Sequence, residues 1–269
     1  MSKGFDMANS AGGVVLLGKD PFDRVRCLSS SQLKWIALVC MVIDHIAAIF
    51  VLPWAKTEPS GAGMLAYEAM RGIGRITFVV FAYQLAVGAE HTRSLPRYLG
   101  RLVAFALVSQ APYYLAVSGG EGFLFARLNI GFTLVAGFMP LMAAEAMRRR
   151  LGCTRKTADL VAAGLSVAAV LGVTLCPVHV DYGAYGVGLI CIFYVFREVP
   201  IVQLIAGVLV TEMYCDMTGA SVQMIAVAGL ALVCCLSSGE RGRMGKWVCY
   251  VFYPAHLLVL GVVRMLVLS

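Results

Sequence analysis

The chain has 269 residues, a formal net charge of +7, 60% apolar residues and only 14% charged ones, with a mean hydropathy of +0.82. A soluble domain carries about a quarter charged side chains, so this composition cannot cover a globule in water and excludes a soluble enzyme. The medium it fits is lipid, where a crossing helix needs roughly 20 mostly apolar residues.

Residues 1–32 form the longest polar stretch, and the one apolar run within it, 14–17, is too short for a signal-peptide core. A cytoplasmic arm is expected over 1–32 and a membrane domain over 33–269. Apolar runs bounded by breakers predict an all-α polytopic bundle of about nine spans, near 33–53, 73–90, 101–118, 129–147, 159–177, 182–197, 200–216, 222–237 and 247–268. Glu198-Val199-Pro200 reads as a tight hairpin, because one helix running through it would be far too long. When the connections are assigned alternately to two sides, 17 of the basic residues fall on one side, including Lys3, Lys19 and Lys246. The other side receives 5, namely Lys56, Arg71, Arg75, Arg127 and Arg264. Cytoplasmic loops hold the excess of Lys and Arg, so the N-terminus is expected in the cytoplasm. The net charge is thereby a topology signal, and no nucleic-acid partner is expected.

Ionisable groups deep in a span are site candidates, because a bilayer makes them costly. Asp44-His45 lies about 10 to 12 residues into span one, roughly 15–18 Å at 1.5 Å per residue. Tyr253-Pro254-Ala255-His256 enters the last span from the same side, which puts His256 near the same depth. Tyr253 and His256, three apart, share a helix face. At the opposite end, Arg75, Asn129, Asp181 and Tyr182 form a candidate substrate vestibule, with an Arg75–Asp181 ion pair expected and Asn129 read as an interhelical hydrogen-bonding group. On the basic side, His91, Arg93, Arg97, Tyr98 and Arg101 form a candidate phosphate-binding group. Its arginines are four apart, one stripe if helical, and Tyr98 is placed to stack on a base; the competing reading is a topology signal in contact with lipid headgroups. Arg148-Arg149-Arg150 reads as a topology anchor. The nine cysteines lack metal-ligand spacing and read as small buried thiols, so neither a metal nor a disulfide is expected.

Two function classes fit these residues. One is an enzyme that brings a phosphate-bearing donor to the basic stripe and reacts it near the histidines. The other is a proton-coupled transporter that uses Asp44 and His45 as a relay. The sequence lacks a pair of broken helices in matching halves, which leans toward the enzyme.

Several blocks resemble the TraX family, membrane proteins named for a conjugation protein that N-acetylates pilin. They are Leu33-Lys34-Trp35-Ile36-Ala37 with Asp44-His45, Gly74-Arg75-Ile76, His91-Thr92-Arg93 with Arg97-Tyr98 and Arg101, Asn129 with Phe132-Thr133, Asp181-Tyr182-Gly183, and Tyr253-Pro254-Ala255-His256-Leu257. The resemblance implies acetyl transfer from acetyl-CoA, as donor substrate, to an amine. The acceptor it implies is the N-terminus of a pilin or another amine-bearing membrane peptide, in the bacterial inner membrane. For that chemistry the residues offer His45 as general base, oriented or kept basic by Asp44, Tyr253 or His256 as oxyanion donor, and the arginine stripe as the holder of the phosphates of coenzyme A. A non-catalytic pilus-assembly partner is the third reading.

Overall fold

A computed structural model describes residues 22–120, 122–245 and 247–268. The first 21 residues of the expected arm, with Lys3 and Lys19, and Lys246 in the last connection, lie outside the described residues.

All nine predicted segments are helical. The first is a continuous helical run made of α1 (Ser30–Ile46), a π-helical turn (Ala47–Val51) and α2 (Leu52–Thr57). It is followed by α3 (Ala62–His91), α4 (Leu95–Ser118), α5 (Ile130–Leu151), α6 (Arg155–Leu175), α7 (Gly183–Val195), α8 (Pro200–Thr218), a 3-10 turn (Ser221–Ile225) leading into α9 (Ala226–Cys235), and α10 (Val248–Leu268). By length and composition, six of these helices can cross a membrane: Ser30–Thr57, Ala62–His91, Ile130–Leu151, Arg155–Leu175, Pro200–Thr218 and Val248–Val267. Gly183–Val195 and Ser221–Cys235 are shorter apolar helices, and α4 has the length, with 24 residues. The chain is therefore an all-α polytopic bundle whose long apolar helices are fewer than the nine crossings expected.

Local chemistry sets the helix ends. Ser29 and Gln32 close a capping box on α1, Thr154 caps α6, and Pro96 and Pro200 occupy the first turns of α4 and α8, where a missing N–H costs nothing. Glycines with left-handed backbone end α4, α5 and α8 at Gly119, Gly152 and Gly219. The expected hairpin at Glu198-Val199-Pro200 is the short link between α7 and α8.

Ion pairs tie several of the basic connections together. Arg155 at the start of α6 is ion-paired with Glu90 near the end of α3 and with Glu198 after α7, while Arg197 bonds Asp159 at 2.7 Å. At the opposite end Arg264 of α10 donates to the Ala116 and Val117 carbonyls that close α4.

The long helix α3 runs through the centre, packed against α1, α5, α7 and α9. The main core holds Phe78, Phe138, Leu141, Phe193, Tyr194 and Leu230, and a second cluster joins α1, α4 and α10 through Leu38, Met41, Tyr113, Tyr253 and Leu257. Outward faces are also apolar: Leu160, Leu171 and Leu175 on α6, Leu209 and Met213 on α8, and Val259 and Leu266 on α10 are all exposed. A soluble bundle would place polar side chains there, whereas a bilayer accepts these. All nine cysteines are free thiols.

Candidate active site

Four elements bring polar side chains together inside the bundle. Asp44 and His45 come from α1, just before the helix widens into its π-helical turn, a feature frequent at functional sites. Tyr253 and His256 come from α10, and Arg71 and Arg75 from α3. Asp181 and Tyr182 precede α7. There two short parallel strands, β1 (Arg127–Leu128) and β2 (His179–Val180), pair, the Asp181 N–H donates to the Leu128 carbonyl, and the Thr133 hydroxyl donates to the Asp181 carbonyl. Tyr182 takes φ +61°, the only left-handed non-glycine backbone among the described residues. Such strain persists where surrounding contacts over-determine it, and here it turns the chain sharply from β2 into α7.

The histidines expected at matched depth are in contact. His45 Nδ1 lies 2.8 Å from His256 Nε2, and His256 Nδ1 lies 2.8 Å from the Phe252 carbonyl oxygen. A carbonyl only accepts, so in the neutral pair His256 donates from Nδ1 and accepts at Nε2. His45 must then donate from Nδ1, which leaves the lone pair on its Nε2. The Tyr253 ring stands edge-on to His45, with centroids 6.0 Å apart.

Asp44 is not the partner of His45. Its Oδ2 accepts from Arg71 Nη1 at 2.6 Å and its Oδ1 from Arg75 Nη2 at 2.9 Å. Successive helix residues point about 100° apart, so Asp44 faces α3 while His45 faces α10. The Arg75–Asp181 ion pair expected from sequence is likewise replaced by Arg75–Asp44. Arg75 also reaches Gln223 and lies over the Tyr182 ring, 5.3 Å from its centroid. The Asp181 carboxylate has no hydrogen-bond or ion-pair partner among the described residues. Gly74 makes the Asp44 cluster sterically feasible, since a Cβ there would lie 2.1 Å from Asp44 Oδ1.

One cavity of about 730 Å³ joins the deep group to the basic end, within the range usual for small-molecule sites. Asp44, His45, Asp181, Tyr182 and Tyr253 line its inner part, and Lys34, His91, Arg101 and Arg241 line it toward the basic end. Along α1, Lys34 and His45 are about 16 Å apart at 1.5 Å per residue.

The predicted phosphate group is only partly on this cavity. His91, Tyr98 and Arg101 line it, whereas Arg93 and Arg97 do not. Pro96 starts α4 after Arg93, so the three arginines never form one helical stripe. Tyr98 is packed edge-on against Phe138 with centroids 4.7 Å apart and fills the space that Gly88 leaves, so its ring is not free to stack on a base. Asn129 is also removed from the vestibule. Fully buried, it caps α5 through Gly131 N–H and donates to the Ala106 carbonyl and to Gln110 Oε1, both at 2.8 Å. Sequence reasoning missed Lys34, Arg241, Trp247 and Tyr250 as cavity residues. The available signal is the glycine-rich run Ser238-Gly239-Glu240-Arg241-Gly242-Arg243, whose arginines also serve as topology charge.

A family model described as TraX protein matches residues 29–264. A probable fimbrial assembly protein FimC, serogroup H1, from Dichelobacter nodosus is 24% identical over 256 residues, covering 88% of this chain and 96% of that protein. No solved structure matches the chain. The family match runs from the N-cap of α1 into α10 and takes in every side chain of the deep polar group, and the chain belongs to the TraX family.

Proposed function

We propose that this protein is an integral membrane acyltransferase of the bacterial inner membrane that moves an acetyl group from acetyl-CoA to an amine, the N-terminus of a pilin or a similar membrane peptide. The observation that carries the reading is one continuous cavity with cationic side chains toward one end and the His45 imidazole at the other. The fimbrial assembly role in the name of the Dichelobacter nodosus relative supports a pilus-related acceptor.

In this reading the donor enters from the basic, cytoplasmic end and its thioester reaches the histidine pair. Attack of the amine on the carbonyl carbon forms the C–N bond. His45 Nε2 takes the proton that the nitrogen sheds and returns it to sulfur as the C–S bond breaks, so it acts as base and then as acid. As His45 becomes charged, its Nδ1–H to His256 becomes a charge-assisted hydrogen bond and strengthens in the transition state. The Tyr253 hydroxyl is the candidate donor to the oxyanion. Asp44 acts at one remove, by holding Arg71 and Arg75 as a fixed positive floor. Asp181, a carboxylate without a partner among the described residues, is suited to hold the acceptor in its ammonium form, which releases its extra proton to solvent before the neutral amine attacks.

The test uses protein purified in detergent, with acetyl-CoA binding followed by calorimetry and transfer to an amine-bearing pilin peptide followed by mass spectrometry. Wild type should bind and transfer, while His45→Ala should bind acetyl-CoA and fail to transfer. Absence of acetyl-CoA binding in the wild type would overturn the acyltransferase reading, and full transfer by His45→Ala would overturn the assignment of the base.

A further inference from the structure

Three cationic side chains line the basic part of the cavity, and each comes from a different element: Lys34 from α1, Arg101 from α4 and Arg241 from the connection between α9 and α10. None is ion-paired with a carboxylate among the described residues. Several other arginines at this end, Arg148, Arg149, Arg155 and Arg197, are each paired with Glu or Asp. Lys34 and Arg241 line the same part of the cavity, and the Arg241 carbonyl is bonded to Ser31, three residues before Lys34 on α1. Arg101 lies over the Tyr98 ring, 5.3 Å from its centroid. The two acids that line the cavity, Asp44 and Asp181, lie in its inner part, and Asp44 is held by its arginines; Glu240 is exposed and does not line the cavity. Like charges held together without counter-charge are relieved by an anion between them.

The segment that carries Arg241 is fixed rather than loose. The Ser30 N–H donates to the Glu240 carbonyl at 2.7 Å, and the Ser31 hydroxyl donates to the Arg241 carbonyl at 2.9 Å. The Met244 N–H in turn donates to Ser31 Oγ at 2.9 Å. Gly242 has φ +68°, and a Cβ there would lie 2.4 Å from Ser31 Oγ. The glycine is thus required both by its backbone conformation and by the close approach to α1, and the turn it makes presents Arg241 at the cavity. Trp247, 55% exposed, lines the same region, with its ring centroid 5.9 Å from that of Tyr250.

We propose that Lys34, Arg101 and Arg241 form a phosphate-binding mouth for the adenosine bisphosphate end of the donor, with Trp247 as the stacking surface for its purine. This rests on the acyltransferase reading and assigns the phosphates to residues other than the Arg93 and Arg97 expected from sequence. The shared chemistry, a phosphate on three cations, would also suit an anionic lipid headgroup, and the experiment separates the two.

The probe is adenosine 3′,5′-bisphosphate, which carries no thioester and needs no acceptor. Its binding is measured by calorimetry on the full-length protein, in detergent and in nanodiscs with and without phosphatidylglycerol. Lys34→Gln and Arg241→Gln should each weaken binding about tenfold, the worth of one hydrogen bond between charged groups, and the affinity should fall as salt rises. Arg150→Gln removes an exposed charge at the same end of the bundle and should leave binding unchanged. Trp247→Ala should weaken the bisphosphate but not inorganic pyrophosphate, and Gly242→Ala should lower affinity by displacing Arg241. Thermal unfolding of each variant separates lost binding from lost fold. Unchanged affinity in both Lys34→Gln and Arg241→Gln, or a loss confined to Arg93→Gln and Arg97→Gln, overturns the proposal while acetyl-CoA binding by wild type keeps the acyltransferase reading. Abolition of bisphosphate binding by phosphatidylglycerol would assign the mouth to lipid and overturn the proposal.

Discussion

His45 and His256 are joined through Nδ1 and Nε2 at 2.8 Å, and the Phe252 carbonyl at the far end of the chain fixes which nitrogen of each ring carries its proton. The pair is therefore directional, with the lone pair at the His45 end, on the imidazole that lines the cavity.

That direction separates the effects of the two histidines. His45→Ala removes the base and should lower kcat by roughly 10²–10⁴-fold. His256→Ala removes a hydrogen bond that becomes charge-assisted only as His45 is protonated, worth about 1.5–3 kcal/mol, so kcat should fall roughly 10- to 150-fold with KM for both substrates unchanged. His256→Gln offers a carbonyl oxygen to His45 Nδ1–H and should recover part of the loss. Steady-state kinetics on the three variants check this, and a KM effect without a kcat effect in His256→Ala would contradict it.

Gly74→Ala tests the Asp44 cluster. The added Cβ would meet Asp44 Oδ1 at 2.1 Å, with α1 and α3 tightly packed and the carboxylate already held by two arginines. Either the helices separate or the ion pairs break; overpacking alone costs about 1–3 kcal/mol and breaking a buried pair about 3–5 kcal/mol. A clear drop in the thermal unfolding temperature in detergent is expected. Gly164 faces open space, so Gly164→Ala should leave that temperature nearly unchanged.

These sites show which properties a single sequence carries. Depth along a helix is arithmetic on residue number, so the sequence alone sets Asp44, His45, Tyr253 and His256 at matching depth, and the nine helical segments follow from apolar runs and breakers. Pairing across elements depends on how each helix is rotated about its own axis. Asp44 and His45 are neighbours in sequence that face different helices, which is why Arg75 was matched to Asp181 instead of Asp44. The arginine stripe failed for a local reason, since its four-residue spacing presumes one helix, and Pro96 begins that helix after Arg93. Lys34 and Arg241 were hidden because they lie more than 200 positions apart and meet only when the α9–α10 connection folds over the start of α1.

Asn129→Ala should affect stability and not chemistry. Asn129 Oδ1 accepts from Gly131 N–H at 2.8 Å, and its side-chain nitrogen satisfies the Ala106 carbonyl and Gln110 Oε1. Loss of an N-cap costs about 1 kcal/mol, and the lost side-chain bonds to the Ala106 carbonyl and Gln110 Oε1 add about 1 kcal/mol each. The unfolding temperature should fall while kcat, KM for the acceptor and acetyl-CoA affinity per folded molecule stay as in wild type. A raised acceptor KM in the folded variant would return Asn129 to the vestibule.

Asp181 should behave in the opposite way. Its backbone is anchored by Leu128 and Thr133, so replacing the side chain leaves the turn into α7 supported. Its carboxylate lines the inner cavity without a partner among the described residues. Asp181→Asn keeps the shape and removes the charge, so acetyl-CoA affinity and unfolding temperature should hold while KM for an amine acceptor rises about tenfold or more, the value of one ionic hydrogen bond. Asp181→Glu should restore part of that affinity. Phenylalanine amide and N-acetylphenylalanine amide supply the control, because only the first carries an ammonium group. Wild type should prefer the ammonium compound and Asp181→Asn should not discriminate between them, whereas equal discrimination in both proteins would remove Asp181 from acceptor recognition.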